Sequence, residues 1–232
     1  MKTSLKALAL VAALSSAISI VHADSLTLTS DPNYSNEVSG GGAYIAKILS
    51  GPANNWDYSG PAKIGTDSFL TFCIEKNEGF NSTSTYNYTL INGAMNGGLG
   101  GQTSLNYDGV SNATAFLYSV FAQGNLGGVL GFTYDNTATG YSYLQTAIWH
   151  LEGELDTGNA LSDWVKSYLG ADWAADNNGA FGVLALHLTD ERQGLVQDQL
   201  YFHRVPDQGW TVAFIGLVLL GVASFRKFSF SK

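Results

Sequence analysis

The spacing of hydrophobic and polar positions changes partway along the chain, and the predicted elements follow that change. Ser25-Leu26-Thr27-Leu28-Thr29 alternates strictly, as a strand with one buried face does. Ala43 to Leu49 and Ser68 to Ile74 are short apolar runs set between Gly, Asp and Asn, and they predict two further strands. Asn92 to Tyr107 is rich in Gly and Asn and predicts a loop. From Asn112 the period lengthens. Phe116, Leu117, Val120 and Phe121 mark a helix, with Asn112 as its N-cap and Gly124 as its stop. Leu144, Ile148 and Leu151 recur at i, i+4 and i+7 within a second helix, Tyr141 to Leu155. Leu161, Trp164, Val165 and Tyr168 predict a third, over Leu161 to Leu169. Strand patterning returns at Phe181 to Leu188 and at Gln199 to Phe202. Strands, a helical centre and closing strands define an α+β class. The expected architecture is an antiparallel β sandwich or barrel with an inserted or packed helical subdomain. No repeat is visible at solenoid periods.

Two apolar runs at the ends have a different character. Lys2 and Lys6 precede an almost wholly small or apolar stretch, Ala7 to Ile20, and Val21-His22-Ala23 offers small residues for signal peptidase. Residues 1–23 are therefore expected to be a secretory signal peptide, shorter in its apolar core than the ~20 residues that span a bilayer. At the other end Val205-Pro206-Asp207-Gln208-Gly209 precedes an apolar run, Trp210 to Phe225, followed by Arg226 and Lys227. Residues 205–232 are expected to form a hydrophobic C-terminal helix held with its basic end in the cytoplasm. This order of parts resembles the PEP-CTERM sorting signals of Gram-negative bacteria, in the Val-Pro-Asp-Ser-Gly form, with Gln208 where that form has Ser. The resemblance assigns Pro206, Asp207, Gly209, Arg226 and Lys227 to the sorting motif. It implies an exosortase-type processing protease as a partner and a place at the cell surface or in an exopolysaccharide matrix. The membrane would be engaged through the C-terminal helix before processing.

Residues 24–204 are then the exported body. There six Lys and Arg face 18 Asp and Glu, a net of −12, so the basic face that nucleic acid requires is missing. Only 13% of the 232 residues are charged, about half the usual share, and the acids are scattered singly, as a solvated surface would have them. Twelve Tyr, 12 Phe and five Trp are too many aromatics for a disordered chain. With one cysteine, an internal disulfide and a thiolate-rich zinc site are both excluded. No metal or cofactor motif is present.

That cysteine lies in Phe72-Cys73-Ile74-Glu75, a strand-like run in which a buried thiol would serve as a small hydrophobe. Gln145-Thr146-Ala147-Ile148-Trp149 places an amide on the second helix. Together, in this order, the two motifs resemble the thioester domains of bacterial surface adhesins, with Leu144 where that family often has Thr. The resemblance covers roughly residues 66–155. It implies that the Cys73 sulfur and the Gln145 side-chain carbonyl join in an internal thioester, with loss of ammonia. Phe72, Ile74, Ile148 and Trp149 would keep water from the bond, although each is equally an ordinary core residue. The implied function is covalent attachment to an amine-bearing surface or matrix polymer by one acyl transfer, without enzymatic turnover. Two alternatives stand beside it: a non-covalent structural or exopolymer-associated protein with an inert buried thiol, and a carbohydrate-binding protein. A Cys–His hydrolase is disfavoured, because His150 lies about 140° around the helix from Gln145. His187 is expected on the solvated face of its strand, and His203 sits at the edge of the sorting signal.

Overall fold

The computed structural model describes residues 24–32, 41–54, 56–82, 84–95, 107–128, 138–190 and 196–203. Strands β1 (Ser25–Ser30), β2 (Tyr44–Ser50), β3 (Ser68–Thr71), β4 (Thr85–Ile91), β7 (Val183–Thr189) and β8 (Gln199–Phe202) form one six-stranded sheet. The short strands β5 (Gly93–Met95) and β6 (Tyr107–Gly109) pair separately. Three helices follow β6 or lie between it and β7: α1 (Asn112–Ala122), α2 (Ala138–Leu151) and α3 (Ala160–Leu169). The protein is α+β, and every strand pairing described is antiparallel. The six-stranded order is β3-β2-β1-β4-β7-β8.

Its two outer strands come together. Just past β3 the chain meets β8: Leu200 N–H donates to Phe72 O at 3.0 Å and Ile74 N–H to Asp198 O at 3.1 Å. Cys73 stands opposite Gln199 between these bonds. Tyrosines tie the same seam from inside. The Tyr58 hydroxyl lies 2.8 Å from that of Tyr118 and accepts from Phe202 N–H at 2.8 Å, while Tyr118 donates to Leu70 O at 2.9 Å. Buried tyrosines thus fill the core with their rings and satisfy their polar tips in the backbone. Helix α1 packs on α2, on α3 and on β7 and β8.

Several boundaries depart from the sequence expectation for identifiable reasons. Strand β4, between β1 and β7, went unpredicted: its burial alternates, with Tyr86 and Tyr88 inward, but Thr85, Asn87 and Thr89 make the run look polar. Ser111, not Asn112, caps α1, its side chain accepting from Thr114 N–H at 3.1 Å. The Asn112 amide instead donates to Asp172 O at 3.0 Å. Helix α2 ends at Leu151 rather than Leu155, because Gly153 takes a left-handed conformation at φ 81 and Glu154 N–H turns back to Trp149 O. Phe181 is not in a strand; it has φ 57, outside the extended region. Both ends of the expected Asn92–Tyr107 loop are strand-paired, as β5 and the start of β6.

Among the described residues no helix is long and apolar enough to cross a membrane. The expected signal peptide, the C-terminal sorting helix and the motif residues Pro206, Asp207, Gly209, Arg226 and Lys227 lie outside the described residues.

Candidate functional site

Cys73 and Gln145 are brought together, 72 residues apart in sequence, and both are fully buried. The strand seam holds Cys73, and α2 presents Gln145 to it. The Gln145 carboxamide clasps the cysteine backbone on both sides. Its Oε1 accepts from Cys73 N–H at 2.9 Å, and its Nε2 donates to Cys73 O at 2.8 Å. Gly42 N–H adds a second donor to Oε1 at 3.3 Å. Two backbone N–H groups thus converge on the carbonyl oxygen, the arrangement that stabilises charge developing there when a nucleophile adds.

The sulfur has its own surroundings. Gln199 Nε2 donates to Cys73 Sγ at 3.5 Å, across the β8 seam. Burial pushes the thiol up to about 12, while hydrogen bonds from Gln199, the Gly42 backbone and Tyr44 pull it the other way. Gly42 therefore borders both the sulfur and the Gln145 carbonyl oxygen. The thiol is protonated at neutral pH, and the donors around it favour the thiolate as its proton leaves.

Phe72, Ile74, Ile148 and Trp149 are all fully buried. Phe72 turns into the helical layer, its ring edge-on to Phe121 at 5.2 Å between centroids. Trp149 lies against Gly41, where a methyl group would overlap the indole ring. Gly41→Ala is accordingly expected to lower stability by ~1–3 kcal/mol through overpacking. Urea denaturation of the two proteins, with an unchanged slope and a lower midpoint in the variant, checks it.

The histidines lie elsewhere. His150 Nδ1 lies 2.9 Å from Leu155 O, and its Nε2 lies 2.7 Å from Lys166 Nζ. His203 is tilted against the Tyr201 ring. His187 is not solvated as expected. It is half-buried, with Nδ1 3.0 Å from Asp198 Oδ1, and that hydrogen bond raises its pKa.

The acids also depart from expectation. Glu75, Asp108, Glu152, Glu154 and Asp198 are buried rather than solvated. Glu75 is pushed up to about 10 by burial and then by the Glu78 carboxyl beside it. Asp198, raised by burial, still accepts from Leu188 N–H at 2.9 Å and Met95 N–H at 2.8 Å. Sequence reading missed Gly42, Tyr44, Gln199 and this acidic group. Tyr44 and Gln199 fall inside expected strands, whose pattern does not show what their polar groups meet; the three polar residues Gln197-Asp198-Gln199 directly preceding Leu200-Tyr201-Phe202 were the available signal of buried polar pairing.

The fold and site define an α+β domain in which a buried cysteine and a buried glutamine are clasped at the junction of sheet and helix. Comparison with protein-family models, characterised proteins and solved structures finds no match.

Proposed function

We propose that this chain is an exported cell-surface or matrix protein in which Cys73 and Gln145 form an internal thioester for attachment to amine-bearing surfaces. The observation that carries the reading is the Gln145 carbonyl oxygen held between Cys73 N–H and Gly42 N–H, with Gly42 also at the sulfur. In the forming step the Cys73 sulfur adds to Gln145 Cδ. The C–S bond forms, the C–N bond breaks, and the thiol proton leaves on nitrogen as ammonia. An amide is a poor acyl donor, so the fold must supply proximity, and well-oriented intramolecular groups reach effective molarities of ~10⁵–10⁸ M. Gln199, Gly42 and Tyr44 stabilise charge on sulfur as the thiol proton departs. In the attachment step an amine adds to Cδ, a C–N bond replaces the C–S bond, and the amine proton returns to the thiol. The chemistry runs once per molecule. The meeting of β3 and β8 supports reading the sheet as a closed barrel with Cys73 at its seam.

The terminal segments complete the proposal. Cleavage after Ala23, and processing near Pro206-Asp207 by an exosortase-type protease, would deliver residues 24–204 to the surface or exopolymer matrix. The intact mass of protein purified from its native host tests both ends and the bond together. The expected mass is that of the trimmed chain less one ammonia. Methylamine should then add once, at Gln145, and expose one titratable thiol. A trimmed chain at full mass, with a thiol titratable only after unfolding, overturns the thioester.

Two observations favour other readings. Full burial of Cys73 and a thiol pushed up to about 12 favour an inert cysteine in a structural protein. An aromatic row favours glycan binding: Tyr168, 61% exposed, stacks on Phe116 at 4.9 Å, and Phe181, 41% exposed, meets Phe116 edge-on. Glycan binding that survives Cys73→Ala and is lost in Tyr168→Ala would select that reading.

A further inference from the structure

An amine that attacks at Gln145 has to reach a carbonyl carbon that no solvent touches. Cys73, Gln145, Ile148, Trp149 and Gln199 are all fully buried. Both polar edges of the Gln145 carboxamide are occupied, Oε1 by Cys73 N–H and Gly42 N–H, and Nε2 by Cys73 O. Approach to Cδ therefore has to come over a face of the carboxamide, past the groups that surround the sulfur. Gln199, the Gly42 backbone and the Tyr44 side chain hydrogen-bond to that sulfur. Of these three, Tyr44 is the one whose side chain reaches both the sulfur and water, being 8% exposed where Gln199 is 0%.

Tyr44 opens β2, paired with Ser30 of β1 and Thr71 of β3, and it shares the inward side of that strand with Ala46 and Ile48. Its ring meets the partly buried Phe80 edge-on, with centroids 4.5 Å apart. The Phe80 side of this contact is tied down. Gln197 Nε2 donates to Glu75 O at 2.7 Å, and Gln197 N–H donates to Gly79 O at 3.3 Å. The Tyr44 side is looser. Gly41 and Gly42 precede it closely, and Gly42 has φ 152, a conformation that residues with side chains rarely adopt. Glycines at the end of an element are where a backbone hinge is least costly. An edge-on ring pair is also a weak contact beside a strand ladder.

We propose that Tyr44 is the door to the Cys73–Gln145 pair, swinging off Phe80 to admit a primary amine on an unbranched carbon chain and refusing one borne directly on a ring. The acyl transfer rests on the thioester reading; the door does not. With the door open, the amine nitrogen adds to Gln145 Cδ, the C–S bond breaks, and the proton released by nitrogen goes to the Cys73 sulfur. Mass spectrometry of the full-length chain incubated with butylamine or cyclohexylamine tests it. The wild type should take up butylamine at least about tenfold faster. Tyr44→Phe, which keeps the ring, should keep that preference. Tyr44→Ala should bring the two rates together, at values unchanged by urea below the unfolding transition, which separates an opened door from an unfolded chain. Should Tyr44→Ala fail to fold, Tyr44→Leu carries the same criterion. Equal rates in the wild type overturn the proposal, and so does a folded small-residue variant that discriminates as the wild type does. A wild-type chain at full mass that takes up neither amine removes the thioester, and the door is then read at the free thiol. Methyl methanethiosulfonate should modify Cys73 at least about tenfold faster than benzyl methanethiosulfonate in the wild type, and at a similar rate in Tyr44→Ala. Equal rates in the wild type overturn the door there too.

Discussion

Gln145→Leu is expected to be among the most destabilising substitutions in the chain, whatever the state of the thiol. In the unbonded protein the leucine removes three hydrogen bonds in a fully buried place and leaves Cys73 N–H, Cys73 O and Gly42 N–H unpaired; in the thioester, from which Nε2 has departed, it removes the two to Oε1 together with the cross-link. Each orphaned group costs ~1–3 kcal/mol, so the three together come to roughly 3–9 kcal/mol. Against a total stability of about 5–15 kcal/mol that is enough to depopulate the fold at 37 °C. Cys73→Ala is different, because the clasp engages the Cys73 backbone and survives the substitution. Without a cross-link it should cost only ~1 kcal/mol of lost packing. With a Cys73–Gln145 bond it also gives up the closure of a 72-residue loop, which by the estimate used for disulfides is worth about 4 kcal/mol. Urea unfolding of the wild type and the two variants therefore reads the chemistry through stability. The Cys73→Ala loss is the discriminating one: about 5 kcal/mol follows from a bonded pair and about 1 kcal/mol from an unbonded one. A Gln145→Leu variant as stable as wild type would mean that the clasp does not hold the seam.

What the sequence made legible follows what periodicity can encode. The helices were found within a few residues because Leu144, Ile148 and Leu151 share a face that the structure buries. Strand β8 was found at its observed bounds, Gln199–Phe202. Strand β4 was missed because its inward residues are tyrosines, whose hydroxyls reach backbone atoms such as Ser50 O at 2.9 Å, and a tyrosine ladder between Thr and Asn reads as polar. The motif pair drew attention to Cys73 and Gln145, but their contact is a product of strand closure and helix docking that no local pattern carries. Gln199 was invisible for the same reason: its partner is 126 residues away in sequence. The acids misled. Single Asp and Glu residues spread along a chain look like solubility, yet the fold gathers Glu75, Glu78, Glu154 and Asp198 into one neighbourhood. It gathers Asp108, Glu152 and Asp176 into another. Which acids meet is set by topology, and spacing in sequence says nothing of it.

That gathering sets the second large expectation, a stability that falls as pH rises. Burial first, and neighbouring carboxyls second, push Asp108 from an ordinary 3.8 up to about 8 and Glu75 from 4.5 up to about 10. Glu152 and Asp198 are raised by burial as well. The folded protein therefore holds protons that the unfolded chain has released. A raised carboxyl stabilises the fold fully below its unfolded pKa, near pH 4, and the contribution is lost as pH climbs through the folded value. His187, raised by its hydrogen bond to Asp198, acts in the same direction. Asp67 is lowered, by the Ser68 hydroxyl first, but its side chain is about half exposed, in a surface pair with Lys47, and it carries little weight here. Each retained proton tilts the unfolding free energy by about 1.4 kcal/mol per pH unit across its window. Urea midpoints should accordingly decline between pH 5 and pH 8, where most folded proteins are near their maximum (roughly pH 5–8). Asp108→Asn removes one of the titrating groups while leaving a neutral side chain of the same shape. It should therefore make the decline shallower up to about pH 8, the value to which Asp108 is raised, and leave the further loss toward pH 10, set by Glu75, unchanged. Midpoints that rise with pH over this range would mean that these carboxyls are ionised in the folded protein and paired with cations.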